Sequence, residues 1–163
     1  MAVTIWYLEM RSRDQIRLKR VDDPRFRIFE MTVPQWEFNR YLYQTVGRDW
    51  SWIDKRSWTD DQWRTYAESG RLRTFVGYHD GTPAGYFELQ RDDDGDVEII
   101  YFGLLPGFLG RGLGAHLLTA ALERAWEMHP RRVWVHTCSL DHPGARHNYE
   151  SRGMTLYKTE SQD

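Results

Sequence analysis

Cysteine is almost absent from this sequence. Cys138 is the single one among 163 residues, so no disulfide within the chain can hold the fold. No run of 18 apolar residues occurs, which excludes a membrane-spanning helix. Neither sign of charge dominates. The 22 Lys and Arg stand against 24 Asp and Glu, for a net charge of −2. That balance argues against a general nucleic-acid binder. Met1 to Met10 lacks a basic flank and a small-residue cleavage site, so no secretory signal is expected. Linkers, repeats and low-complexity tracts are missing too. These absences favour the cytoplasm, with no nucleic-acid or membrane partner. With 40% hydrophobic and 28% charged residues the chain is not disordered, and its length suits one domain over residues 1–163. The Arg-rich stretch Arg11 to Arg27 is interrupted by Asp14, Asp22 and Asp23 and reads as a solvated surface.

Aromatic residues are plentiful: 8 Trp, 9 Tyr and 7 Phe. Part of this is core. Trp50, Trp52 and Trp58, however, cluster in the aperiodic stretch Arg48 to Trp58.

Local patterns give the element order. Thr4 to Glu9 and Arg25 to Thr32 read as strands from their β-branched, aromatic and alternating content. Pro34 opens a helix to about Val46, with Gly47 as its stop. Thr59 caps a second helix that ends near Ser69 and Gly70. Leu72 to His79 and Ala84 to Gln90 form a hairpin around Asp80-Gly81. Val97 to Leu105, apolar on both faces, is a central strand. A long helix from about Gly110 to Met128 buries Leu113, Leu117, Ala121 and Ala125. A strand at Val133 to Thr137, a helix at His142 to Arg152 and a strand at Met154 to Lys158 complete the chain. The order β-β-α-α-β-β-β-α-β-α-β is a mixed α/β sandwich, an α+β arrangement rather than a doubly wound sheet.

The segment Leu104 to Leu118 (LLPGFLGRGLGAHLL) carries the chemistry. A central strand runs through Gly107, Gly110, Gly112 and Gly114 into a helix. Glycine permits unusual φ values and close approach of a ligand. Free N–H groups at the helix start favour an anion, so a phosphate or pyrophosphate site is expected. A P-loop is rejected, because Leu113-Gly114 stand where Lys-Ser/Thr is needed. Gly110, Gly112 and Ala115 match a dinucleotide fingerprint formally, but about 50 remaining residues leave too little room for that fold.

Leu109-Gly110-Arg111-Gly112-Leu113-Gly114 resembles motif A of the GNAT superfamily of N-acetyltransferases, Gln/Arg-x-x-Gly-x-Gly/Ala. Leu109 departs from the Gln or Arg usual there. Glu98 to Leu118 is particularly similar to motif A of the histone acetyltransferase branch, including an acid at the head of the strand. Tyr149-Glu150-Ser151-Arg152-Gly153-Met154 resembles the family's Tyr-Glu-x-x-Gly-Phe element, with Met for Phe. The resemblance covers about Leu72 to Lys158. It implies a central mixed sheet with helices on both faces, in which the strands at Val97 to Leu105 and Val133 to Thr137 splay apart. It also implies acetyl transfer from acetyl-CoA, as co-substrate, to an amine.

The demands of that reaction fall on named residues. Leu109, Gly110, Arg111, Gly112, Leu113, Gly114 and Ala115 cradle the pyrophosphate, with Asn148 beside them. A backbone N–H at Leu104 or Leu105 faces the thioester oxyanion. Glu98 is the candidate base, since an alkyl ammonium must lose a proton before attack. Strand alternation places Glu98, Ile100, Phe102 and Leu104 on one face, with Glu98 roughly 20 Å from Leu104, so a water chain would link them. Tyr149 matches the family position that protonates the leaving thiolate. Trp50, Trp52, Trp58, Tyr86 and Tyr101 would wall the acceptor site, suited to an apolar amine or a cation over ring faces. No metal is expected: His136, Cys138, His142 and His147 lack paired spacing, and the run Asp92, Asp94, Asp96 lacks the Gly and Glu of a calcium loop. An acyl-enzyme at Cys138 is disfavoured. A small-molecule acceptor leads; a protein lysine or N-terminal acetyltransferase and a non-catalytic acyl-CoA sensor are the alternatives. A homodimer is left open.

Overall fold

Capping and glycine geometry set the helix limits in this protein, whose residues 2–163 are described by a computed structural model. The elements are β1 (Val3–Met10), β2 (Phe26–Glu30), α1 (Trp36–Gly47), α2 (Asp60–Ala67), β3 (Leu72–His79), β4 (Thr82–Arg91), β5 (Val97–Leu104), α3 (Leu113–Trp126), β6 (Val133–Cys138), α4 (Ala145–Ser151) and β7 (Thr155–Gln162). Their order is the one read from the sequence. At α2 the Thr59 hydroxyl accepts from the Gln62 N–H and the Gln62 side chain returns the bond, a closed capping box. α3 starts at Leu113 rather than at Gly110, because Gly110 and Gly112 take φ of 78° and 77°, outside the helical region.

The seven strands form one sheet in the order β2-β3-β4-β5-β6-β1-β7. β1, far from β2, lies antiparallel between β6 and β7. The parallel pair β5 and β6 is in register only at Val97 with Val133 and Glu98 with Trp134. Beyond Glu98 the two strands splay, and the facing edge of β5 has no strand partner. Two helical layers cover the sheet. On one face Leu113, Leu117, Leu118, Ala121, Leu122 and Ala125 of α3 pack with Phe87, Leu89, Val97, Ile99, Val133 and Val135. A fully buried Leu stabilises by about 1.5–3 kcal/mol, so this stripe anchors α3 and its N-terminus against β5. On the other face α1 and α2 cover Val76, Tyr86, Ile100 and Tyr101. No helix among the described residues is long and apolar enough to cross a membrane.

One feature of β5 overturns an expectation. Glu88 pairs with Tyr101 and Leu89 with Ile99, so Ile100 is an extra residue, a β-bulge. The bulge inverts the alternation past it. Val97, Ile99, Phe102 and Leu104 all join the α3 side, while Ile100 and Tyr101 join the α1–α2 side. Glu98, between Val97 and Ile99, therefore faces α1 and α2, opposite to Leu104 and Phe102 and not beside them.

Candidate active site between the splayed strands

The glycine turn sits at the end of β5 on the α3 side. A Cβ at Gly107 or Gly110 would meet nothing within 4 Å, so the turn's outer side is open. Gly112 caps α3 with no side chain, which leaves the first helical N–H groups of Leu113, Gly114 and Ala115 to face outward. Leu109 packs its side chain into the core. Its departure from Gln or Arg therefore removes a side chain from the cradle and leaves the backbone donors in place. Arg111 is exposed, with its guanidinium 5.2 Å from the Phe108 ring centroid. Asn148 of α4 donates from Nδ2 to the Gly114 carbonyl at 3.1 Å, tying α4 to the start of α3. The turn thus presents open backbone donors and one exposed cation, groups that can hold an anion.

The two expected oxyanion donors separate. The Leu105 N–H donates to the Ala84 carbonyl at 2.8 Å and is spoken for. The neighbouring pair, Gly85 with Leu104, is then a non-hydrogen-bonded one, which aims the Leu104 N–H away from β4 and into the gap beside β6. Tyr149 of α4 is buried on this side, its ring edge-on to Phe102 at 6.0 Å. Burial raises its hydroxyl well above the ordinary tyrosine range, so it holds its proton at neutral pH.

The opposite, α1–α2 side of the gap carries Glu98. Its carboxylate is 15% exposed, and its Oε2 lies 3.7 Å from Nε2 of His136 on β6. Burial pushes Glu98 up to about 7, against a lowering pull from the Lys55 ammonium. A carboxyl tuned near neutrality suits proton transfer. Burial also lowers His136, which leaves its imidazole neutral.

The aromatic residues divide by role. Trp52 donates from Nε1 to Asp141 Oδ1 at 3.2 Å, and Asp141 accepts from Thr137 Oγ1 at 2.6 Å and from the Cys138 N–H at 3.1 Å. Trp50 lies edge-on to His142 at 4.9 Å. The two indoles thus tie the loop between α1 and α2 to the loop after β6, across the open end of the gap. Trp52 also packs on Tyr101 at 5.1 Å. Trp58 packs on Trp63 at 5.2 Å and on Tyr66 at 5.4 Å. Tyr86 is fully buried beneath Trp52, below any surface that an acceptor touches in this conformation, and its hydroxyl has no partner among the described residues.

Sequence reading missed the polar groups inside this aromatic shell. Lys55 is buried, and its Nζ donates to the Tyr101 hydroxyl at 3.0 Å and to Asp54 Oδ2 at 3.3 Å. Tyr101 also donates to Asp54 Oδ2, and Tyr43 donates to Asp54 Oδ1 at 2.9 Å. Below them Glu88 is buried, accepting from Tyr66 at 2.6 Å and from Asn39 Nδ2 at 2.5 Å. Burial raises Glu88 to about 7 in spite of both donors. Glu88 had one signal in the sequence, an acid amid the apolar run of β4; Lys55 had none.

Known proteins resemble this chain in both sequence and structure. The profile of the acetyltransferase (GNAT) family matches residues 28–154. An uncharacterized N-acetyltransferase of Mycobacterium bovis is 39% identical over 70 residues, 43% of this chain and 45% of that protein. The matched segment thus spans less than half the length of that relative. A GCN5-related N-acetyltransferase from Sphaerobacter thermophilus superposes with a TM-score of 0.70 at 16% identity, over 97% of this chain and 50% of that one. An aminoglycoside acetyltransferase from an uncultured soil metagenomic sample, solved with sisomicin, gives a TM-score of 0.63 at 11% identity, over 78% of this chain and 88% of that one. These structural likenesses are likenesses of fold.

Proposed function

The chain belongs to the GNAT acetyltransferase family, and from that premise we propose that it moves an acetyl group from acetyl-CoA to the primary amine of a small molecule, by direct attack in a ternary complex. Acetyl-CoA supplies the acetyl group as a thioester. The residues of this chain do the rest. The amides from Gly110 to Ala115 and the Arg111 guanidinium hold the diphosphate on the α3 side. The Leu104 N–H faces the thioester oxygen and stabilises charge developing there. Glu98, on the α1–α2 side, takes the proton from the acceptor ammonium through a chain of waters. Tyr149, on the α3 side, keeps a proton for the thiolate that leaves.

The single observation that carries this reading is the bulge at Ile100. It sets Glu98 on the face of β5 opposite to Phe102, against which Tyr149 of α4 packs, beside an unpaired gap, and this supports approach of acceptor and co-substrate from two sides. The indole ties at Trp50 and Trp52 bridge the open end of that gap. A bridged gap suits a small acceptor better than the extended groove a protein substrate needs.

Calorimetry with CoA and acetyl-CoA, followed by a thiol-release assay against a panel of amines, tests the proposal. Binding with release of CoA on a small amine is the expected result. Binding without release on any amine supports a sensor instead, and absence of binding overturns the proposal.

A further inference from the structure

The Lys55 ammonium lies inside a box built for an organic cation. It sits 4.4 Å from the ring centroid of Trp58, 5.0 Å from that of Tyr66 and 4.9 Å from that of Tyr101. A carboxylate oxygen of Asp54 and the Tyr101 hydroxyl accept its protons. Three ring faces, an anion and a hydroxyl make a full recognition set for an alkylammonium. The occupant comes from a loop and not from a helix or strand, and Ser51 in that loop holds a left-handed φ of 61°, a strained setting for a side chain-bearing residue.

We propose that this box is the subsite for a second, non-reacting ammonium of the acceptor, and that Lys55 is a tethered stand-in that the acceptor expels. The inference rests on the reading that the α1–α2 side is the acceptor side. The substrate class is then a diamine. Ring faces and a carboxylate attract an ammonium and not a neutral amine, so the amine held there is not the one acetylated. The reacting amine is the other end of the molecule, which reaches the thioester beside Leu104 and loses its proton toward Glu98 through water; the Lys55 ammonium is close enough to that carboxylate to lower its proton affinity. The chain has three lysines, Lys19, Lys55 and Lys158, among its 22 basic residues, so its response is simple to follow.

Two measurements test this without turnover. With n-butylammonium as probe and tryptophan fluorescence as readout, Lys55→Ala should bind about tenfold or more tightly than the natural protein, while Lys55→Arg, which refills the box with a cation, should not. Equal binding by Lys55→Ala and the natural protein overturns the proposal. On the natural protein itself, ¹³C-lysine labelling reads the Lys55 methylenes, which three ring currents shift from their solvent values. Saturating 1,4-diaminobutane should return those signals to solvent values and leave Lys19 and Lys158 unmoved; an unchanged Lys55 signal overturns the proposal even where the alanine variant does not fold. Acetyl-CoA calorimetry on the same sample separates this failure from failure of the acetyltransferase reading.

Discussion

The indole Nε1 of Trp52 donates to the carboxylate of Asp141 at 3.2 Å, joining the loop after α1 to the loop after β6. Only two residue pairs hold β5 to β6. The Trp52–Asp141 bond is therefore a second closure of the same gap, at its opposite end. It fixes the height of the gap in which acceptor and thioester would meet.

Trp52→Phe keeps a ring against Tyr101 and removes the donor. Loss of one hydrogen bond to a charged group costs about 1.5–3 kcal/mol when buried and less here, where the pair is part-buried. The expected outcome is a roughly tenfold rise in acceptor KM, with the acetyl-CoA dissociation constant unchanged, because the proposed diphosphate cradle lies on the other side of the sheet. Steady-state kinetics with calorimetry checks it. An unchanged KM with a lowered melting temperature shows the tie to be structural alone.

Gly47→Ala strikes the same tie from below. A Cβ at Gly47 would lie 2.5 Å from the Cβ of Trp52, closer than packed carbons approach. The loop must shift, at about 1–3 kcal/mol. Thermal unfolding should show a loss of several degrees, and the acceptor KM should rise with it. A variant as stable as the natural protein would mean that the loop moves freely.

Much of this architecture was written locally in the chain. The spacing of Leu113, Leu117, Ala121 and Ala125 fixed the buried stripe of α3, and all four are buried. The Thr59 cap and the glycine stops placed the helices to within a few residues. The glycine turn was legible because the left-handed backbone at Gly110 and Gly112 calls for glycine, which the sequence displays directly. The bulge at Ile100 was not, since strand periodicity carries no mark of one extra residue and only the partner strand reveals it. Lys55 was hidden because it lies in an aperiodic loop, where the aromatic rings that surround it come from three separate segments. The Leu105 amide was misassigned for a related reason: which N–H faces the gap depends on the register with β4.

Tyr149→Phe tests the proton donor. The ring packs on Phe102 and the hydroxyl has no hydrogen-bond partner among the described residues, so removal of the oxygen should leave the fold intact. General acid catalysis contributes about 10²–10⁴-fold, so kcat should fall by about a hundredfold with acetyl-CoA affinity unchanged. Unchanged turnover removes Tyr149 from the mechanism.

Glu98 predicts a pH profile. With its carboxyl at about 7, the base form grows as pH rises through that value, and kcat/KM should rise with it. The acceptor ammonium, near 10.4, gives a separate limb at higher pH. Glu98→Gln should lower kcat/KM by about a hundredfold at pH 8 and abolish the limb near 7. A limb that persists in this variant assigns the titration to another group.

Glu88 gives the opposite sign, in stability. Its folded carboxyl titrates at about 7, raised by burial from an ordinary value of 4.5. A raised folded value means that the protonated form is the favoured one in the core. Its contribution is complete below about 4.5, declines as pH rises and is gone above about 7. The full swing is roughly 3 kcal/mol, since each tenfold in proton affinity is about 1.36 kcal/mol. Glu88→Gln keeps an acceptor for Asn39 and presents an amide donor to the Tyr66 oxygen, yet cannot ionise. Because Glu98 titrates in the same range and is present in both proteins, the difference between them isolates Glu88. From pH 5 to pH 8 the melting temperature of the natural protein should fall relative to that of Glu88→Gln, by several degrees. Parallel curves for the two proteins would show that Glu88 stays ionised in the core, held by Tyr66, Asn39 and the Lys55 charge.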